Sequence, residues 1–347
     1  MSPGNVAVKK KTPPSSGDKQ HPIGLDIGTA NIVVYMDERT DAGVQMEANA
    51  FFTVPSMPNT RKILEDKSVR FFEKENCLHI LGTAAETFSN ILGGATRRPM
   101  ENGLVNLRED DGIHVIQAIL DPMLPEPVQK DHSLWFSVPG DPIDRQGAVI
   151  FNESIFKTYL KGRGYMPRPI NEAMAVVMSE LSDQHATGIG ISMGGGMCNV
   201  CFSYLSIPAV TYSIQKGGDF IDQTVGRSVG ESATKIKSIK EQALDLGVAP
   251  RNNIEHGLHA AYDDLFATLA DSLAKGLRGS DNMPRLSQAV PIVLSGGTVL
   301  PPGSRERFET ILNEIDLPIR IATVMQARDP LYATARGAYL MAAADES

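Results

Sequence analysis

The sequence predicts a mixed α/β protein built from two similar domains that face each other across a cleft. Three observations lead there. Strand-length apolar runs alternate with helical stretches along most of the 347 residues. An apolar strand, a glycine turn and a second apolar strand occur at residues 23–35, and the same design returns at 189–202. A third apolar run, 290–295, ends in Gly296-Gly297-Thr298, where missing side chains allow close backbone approach to a ligand.

Composition narrows the classes. A hydrophobic content of 42% supports one or two globular cores. A net charge of -8 argues against a general nucleic-acid binder. No stretch approaches the roughly 18 apolar residues of a membrane helix, so no transmembrane segment is expected. The N-terminus lacks the apolar core of a secretory signal, and a cytoplasmic location is the expectation. Residues 1–20, with Lys9-Lys10-Lys11 before Pro13-Pro14-Ser15-Ser16, read as a disordered tail. The three cysteines, Cys77, Cys198 and Cys201, suit a reducing compartment. Cys198 and Cys201 share a C-x-x-C spacing, but on a strand residues three apart point to opposite faces. With no second ligand pair, packing is preferred to a metal site.

In the first hairpin, Gly28 and Asn31 suit the turn on backbone grounds. A plain hairpin does not require Asp26 at the end of a buried strand. A carboxylate there must be hydrogen-bonded or face a cation. The N–H groups of Gly28, Thr29, Ala30 and Asn31 would form a nest able to hold phosphate. Residues 45–97 then alternate short strands with a helix at 83–92 and read as an insertion on the first domain. A connection punctuated by proline and glycine, Arg97-Arg98-Pro99-Met100-Glu101-Asn102-Gly103, leads back to the main body.

A helix at about 111–120, a buried strand at 133–139 and a helix at about 143–162 complete a β-α unit. Residues 168–181 open the second half, with Asn171 as N-cap and Glu172 complementing the helix dipole. That helix ends just before the second glycine hairpin, so its start is expected at the cleft. In the second hairpin Ser192 stands where Asp26 stands in the first, followed by Gly194-Gly195-Gly196. Two such turns, face to face, can grip a nucleotide's phosphates from both sides. A helix at 234–246 carries Lys237, Lys240 and Glu241, and a long amphipathic helix with Ile254, Leu258, Leu265 and Leu269 follows. A helix at 329–340 closes the chain.

Five motifs in order resemble those of the bacterial actin MreB family. They are Gly24-Leu25-Asp26-Ile27-Gly28-Thr29-Ala30-Asn31, Arg98-Pro99-Met100-Glu101-Asn102-Gly103, Ile170-Asn171-Glu172-Ala173-Met174-Ala175, Ile292-Val293-Leu294-Ser295-Gly296-Gly297, and Asp329-Pro330-Leu331 with Arg336-Gly337. The resemblance implies an actin-like ATPase fold, two ribonuclease-H-like domains around a nucleotide cleft. The expected first domain is 21–165 plus 329–347, and the second is 166–328. It further implies ATP and magnesium as cofactors, with Asp26 on the hydrated metal and Glu172 orienting the attacking water. Thr29, Ala30 and Asn31, with Gly28, would hold phosphates opposite Gly194, Gly195 and Gly196. Gly296, Gly297 and Thr298 would line the adenosine. Lys240 and Glu241 match the purine-side helix, although a second register puts Lys237 there.

The departures concern chemistry and assembly. Ser192 replaces an aspartate of the family's second phosphate loop, and Asn199 replaces an acidic residue near its end. The purine-side helix runs almost directly into the long helix, leaving no room for the family's second-domain insertion. The resemblance implies a self-assembling filament protein in the cytoplasm, with a role in cell shape or intracellular organisation. Membrane-associated protein partners belong to the same expectation. The substitutions suggest slow hydrolysis, and a non-polymerising nucleotide switch is the alternative. A small-molecule kinase would need an aspartate base and a sugar pocket, and the sequence offers neither.

Overall fold

Two sheets of the same design organise the chain. The computed structural model describes residues 21–37, 43–127, 131–144, 147, 149–286 and 288–345; the tail expected at 1–20 lies outside the described residues. The first half contains β1 (Ile23–Ile27), β2 (Asn31–Tyr35), β3 (Val44–Ala48), β4 (Phe51–Pro55), α1 (Pro58–Asp66), β5 (Phe71–Lys74), β6 (Cys77–Leu81) and α2 (Thr83–Leu92). It continues through β7 (Met100–Glu101), β8 (Leu104–Val105), α3 (Gly112–Met123), β9 (His132–Val138), α4 (Ile150–Gly162) and β10 (Tyr165–Asn171). Then come α5 (Glu172–Glu180), β11 (Gly188–Met193), β12 (Cys198–Tyr204), β13 (Ile207–Ile214), α6 (Gly218–Val229) and α7 (Ala233–Ala243). The last elements are α8 (Asn253–Arg278), β14 (Val290–Ser295), α9 (Ser304–Leu312), β15 (Ile321–Gln326) and α10 (Ala333–Asp345).

The first sheet has the order β10-β9-β1-β2-β3 and the second β15-β14-β11-β12-β13. In each, a glycine hairpin and a third strand form an antiparallel meander, and two parallel strands extend the other edge. The repeat of the two hairpins is therefore a repeat of a whole sheet topology. The strand β10, expected to open the second half, pairs with β9 and belongs to the first sheet. Likewise β3 pairs with β2, so the insertion with its own sheet, β4-β6-β5, begins after it.

Burial explains the stacking. One face of the second sheet meets α8 in a core that includes Phe202, Tyr262, Phe266 and Phe308. One face of the first meets α3 and α4 through Val115, Ile119, Phe136 and Leu160. The remaining two faces turn toward each other, and α5 and α10 fill the space between them. Gly337 is what lets these two helices touch, since a Cβ there would lie 1.8 Å from the Ala175 carbonyl oxygen. The start of α5 is thus fixed between the sheets. Cys198 faces the α8 core and Cys201 the α5 side, so the C-x-x-C pair is split across the sheet.

The helix expected from about 143 begins only at Ile150. From the sequence, α1, α9 and β15 are not picked out, and few of their residues are buried, so they offer few apolar positions to read. Residues 244–252, between α7 and α8, contain no helix or strand. Among the described residues, no helix is long and apolar enough to cross a membrane.

Candidate functional site

The two glycine turns close in the same way. Gly28 N donates to Asn31 O at 2.9 Å, and Gly194 N donates to Met197 O at 3.0 Å. In each case the turn's next N–H groups, of Thr29 and Ala30 and of Gly195 and Gly196, have no acceptor among the described residues. The turns lie against each other: a Cβ on Gly195 would stand 3.0 Å from the Ala30 Cβ, and one on Gly196 would stand 2.5 Å from Thr29 Oγ1. Only glycine allows that approach with the backbone left open to the cleft. The third turn is tied to the second, because Thr298 Oγ1 donates to Gly194 O at 2.9 Å.

Asp26, Gly28, Thr29, Ala30, Asn31, Glu172, Gly194, Gly195, Gly196, Lys240, Glu241, Gly296, Gly297 and Thr298 all line one cavity of about 680 Å³. The sheet stacking thus brings the expected nucleotide-contacting residues to one cavity wall. Asp26 reaches the cleft from the end of β1, and Glu172 from the start of α5, the helix that follows β10 and lies between the sheets. Asn171 caps that helix, accepting from Ala173 N and Met174 N.

Both carboxyls are partly buried in the cleft wall and short of positive charge. Burial pushes Asp26 up to about 6, against the opposing effect of its hydrogen bond from Ser137 Oγ at 2.6 Å. Burial, followed by the charge of Asp26, pushes Glu172 up to about 8. Glu172 Oε2 accepts from Asn199 Nδ2 at 2.8 Å and from Ser192 Oγ at 3.4 Å. Oε1 has no partner among the described residues. Ser192 and Asn199 are cross-strand partners, so both departures from the family pattern act on the same carboxylate. Asn199 also accepts from Gly140 N at 2.8 Å, which fixes its orientation.

The helix α7, expected on the purine side, is more constrained than its sequence suggests. Lys240 Nζ lies 2.7 Å from Asp222 Oδ1 and donates to Gly218 O at 3.0 Å, with both side chains buried. Burial pushes Asp222 up to about 6 even so. Lys237 Nζ donates to Glu86 Oε1 at 2.8 Å, joining α7 to α2 at the cleft. Glu241 is more exposed and lies 3.9 Å from Lys237. Both registers therefore place a lysine on the cavity wall, and each lysine is paired to a carboxylate.

Sequence reading missed Ser137, Arg98, Asp219 and Asp222 as site residues. The signal for Ser137 and Asp222 was a polar residue at a position that packing buries. Arg98 stands in the Arg98–Gly103 connection without an assigned role, and Asp219 carried no signal, because the two meet only across the cleft, with Nη1 donating to Oδ2 at 3.2 Å. Among the described residues, no group of three or more His, Cys, Asp or Glu side chains could hold a metal ion unaided.

The profile of the family described as Volactin matches residues 22–343. No curated protein sequence matches the chain. The crystal structure of MreB 5 of Spiroplasma citri bound to AMPPNP is similar at a TM-score of 0.67 and 17% identity, over 95% of this chain and 98% of that one. The MamK double helical filament is similar at 0.66 and 16% identity, over 94% and 99%. The ethanolamine utilization protein EutJ from Carboxydothermus hydrogenoformans gives 0.53 and 15%, over 94% and 91%. These likenesses show the fold, that of the actin-like ATPase superfamily. With that fold and a profile match over nearly its whole length, the protein belongs to the Volactin family.

Proposed function

We propose that the protein binds ATP with magnesium in this cleft, assembles with itself into filaments in the cytoplasm, and hydrolyses the nucleotide slowly. The observation that carries the proposal is the pair of opposed turns with open N–H groups at Thr29, Ala30, Gly195 and Gly196. Such groups form an anion nest from backbone alone. The similar structures add support: MreB 5 of Spiroplasma citri was solved with AMPPNP, and MamK as a filament.

The residues also fit magnesium. This ion keeps several waters and needs only one or two carboxylates beside nucleotide phosphates. Asp26 supplies one; burial raises its pKa, and a bound cation would favour its ionised form. When bound, magnesium would neutralise phosphate charge. The chain's own contribution is positioning. Asn199 and Ser192 hold Glu172 by Oε2, leaving Oε1 to accept a proton from a water. Without nucleotide a group raised to about 8 holds its proton at neutral pH, and only its ionised form can take one from the water. Ser192 offers a neutral hydroxyl where a second carboxylate would help fix the metal, and slow turnover follows.

Sedimentation and light scattering, with and without ATP and magnesium, test assembly. ATP-dependent pelleting is expected. A competing reading, the non-polymerising switch, draws on one observation: residues 244–252 link α7 to α8 without a strand-containing insertion. Scattering that stays flat while calorimetry registers ATP binding would replace the filament with the switch.

A further inference from the structure

We propose that Arg98 is the residue by which the cleft tells a nucleoside triphosphate from a diphosphate, giving up Asp219 for the terminal phosphate. The inference rests on the nucleotide-binding reading above. Its basis is where Arg98 stands. The residue precedes Pro99 in the connection from the insertion, and its guanidinium crosses the cleft to the first turn of α6. There it lies over the second glycine turn. A Cβ on Gly195 would stand 3.5 Å from Arg98 Nη1, 3.5 Å from Asp219 Oδ1 and 3.0 Å from the Ala30 Cβ. Arg98 therefore sits where the two turns with open N–H groups meet.

The cleft's other cations are committed. Lys240 is buried against Asp222 and Gly218 O, and Lys237 joins α7 to α2 through Glu86. Arg98 keeps about a fifth of its side-chain surface exposed, at 21%, and makes a single hydrogen bond among the described residues. Four of its five N–H groups remain for another acceptor. A guanidinium fork matches phosphate oxygens bidentately, which a lone contact to one carboxylate oxygen does not exploit. The site also needs positive charge. Asp26, Glu172 and Asp219 line the same cavity, and each added phosphate brings more negative charge into it. Asp219 is the resident acceptor that keeps the guanidinium pointed at the turn before nucleotide arrives. Its own N–H donates to Gly195 O at 2.8 Å, so the carboxylate is anchored to the same turn.

Binding calorimetry of AMPPNP and of ADP, each with magnesium, on wild type, R98A, R98K and D219A tests this without any turnover. Loss of one charge-assisted contact is expected to weaken AMPPNP about tenfold or more in R98A, while ADP changes by less than about twofold. R98K should fall between, because an ammonium keeps charge and loses the fork. D219A removes the same ion pair but frees the guanidinium, so AMPPNP binding should hold or tighten. Equal weakening of both nucleotides in R98A and D219A would reduce the pair to a structural tie and overturn the proposal. An unchanged AMPPNP-to-ADP ratio in R98A would do the same. Wild-type protein that binds neither nucleotide would instead bring down the nucleotide reading on which the inference stands. Melting curves of the nucleotide-free variants separate misfolding from lost contact.

Discussion

At the scale of single residues, the cleft is set by two carboxylates that want protons. Asp26 moves from 3.8 to about 6, and Glu172 from 4.5 to about 8. The folded chain thus holds protons at pH values where the unfolded chain has released them. By linkage, the contribution of these two groups to the stability of the nucleotide-free protein falls as pH rises from 3.8 to about 8. Glu172→Gln should remove the upper part of that fall, so its melting temperature matches wild type near pH 4 and exceeds it near pH 8. Parallel melting curves across the range would contradict the assignment. The same variant should retain ATP binding and lose hydrolysis, measured by phosphate release. Ser192→Asp adds a third carboxylate beside Glu172 Oε2, where the hydroxyl now lies 3.4 Å away. Without nucleotide it should cost on the order of 2 kcal/mol by burying an unpaired charge. With magnesium and ATP the loss should be recovered and turnover should rise by on the order of 10²-fold. A variant that is unaffected by magnesium would count against a metal near Asp26.

At the scale of elements, α5 and α10 set the spacing of the two sheets, while α2 and α7 bridge the insertion and the second half. The Glu86–Lys237 pair, at 2.8 Å, is the polar contact of that bridge. A partly exposed pair adds little to global stability. Its effect belongs to opening, since any exit of nucleotide past α2 and α7 must break it. Lys237→Ala should therefore speed release of a fluorescent ATP analogue in stopped-flow displacement while leaving the melting temperature within about 2 °C, as expected for a small surface contribution. The wild-type release rate should rise with salt and the variant's should not. Identical salt dependence in both would remove this pair from the opening step.

At the scale of the whole molecule, two sheets of one topology enclose a single cavity, so anything bound there touches both halves. A ligand that favours the closed arrangement shifts its population in proportion to its differential affinity. ATP with magnesium at a hundredfold excess over the dissociation constant should stabilise the fold by about 2.7 kcal/mol. Chemical denaturation with and without ATP checks this, and coincident curves would argue against a nucleotide bound between the sheets.

What the sequence determined by itself is local. Strand, turn and strand are written within about a dozen residues of each glycine hairpin, so the repeat, Asp26, the open turns and the Asn171 cap were all legible. The helix α7 was legible too, but the commitment of its lysines was not. Tertiary structure alone brought Ser137 to Asp26, 111 residues away, and Arg98 to Asp219, 121 residues away. It also moved β10 into the first sheet and turned Asn199 from a departure into the group that holds Glu172. The physical reason is common to these cases. A pairing between distant residues is fixed by which sheet edges and helix ends the packed core brings together, and that leaves no periodicity in the chain to read.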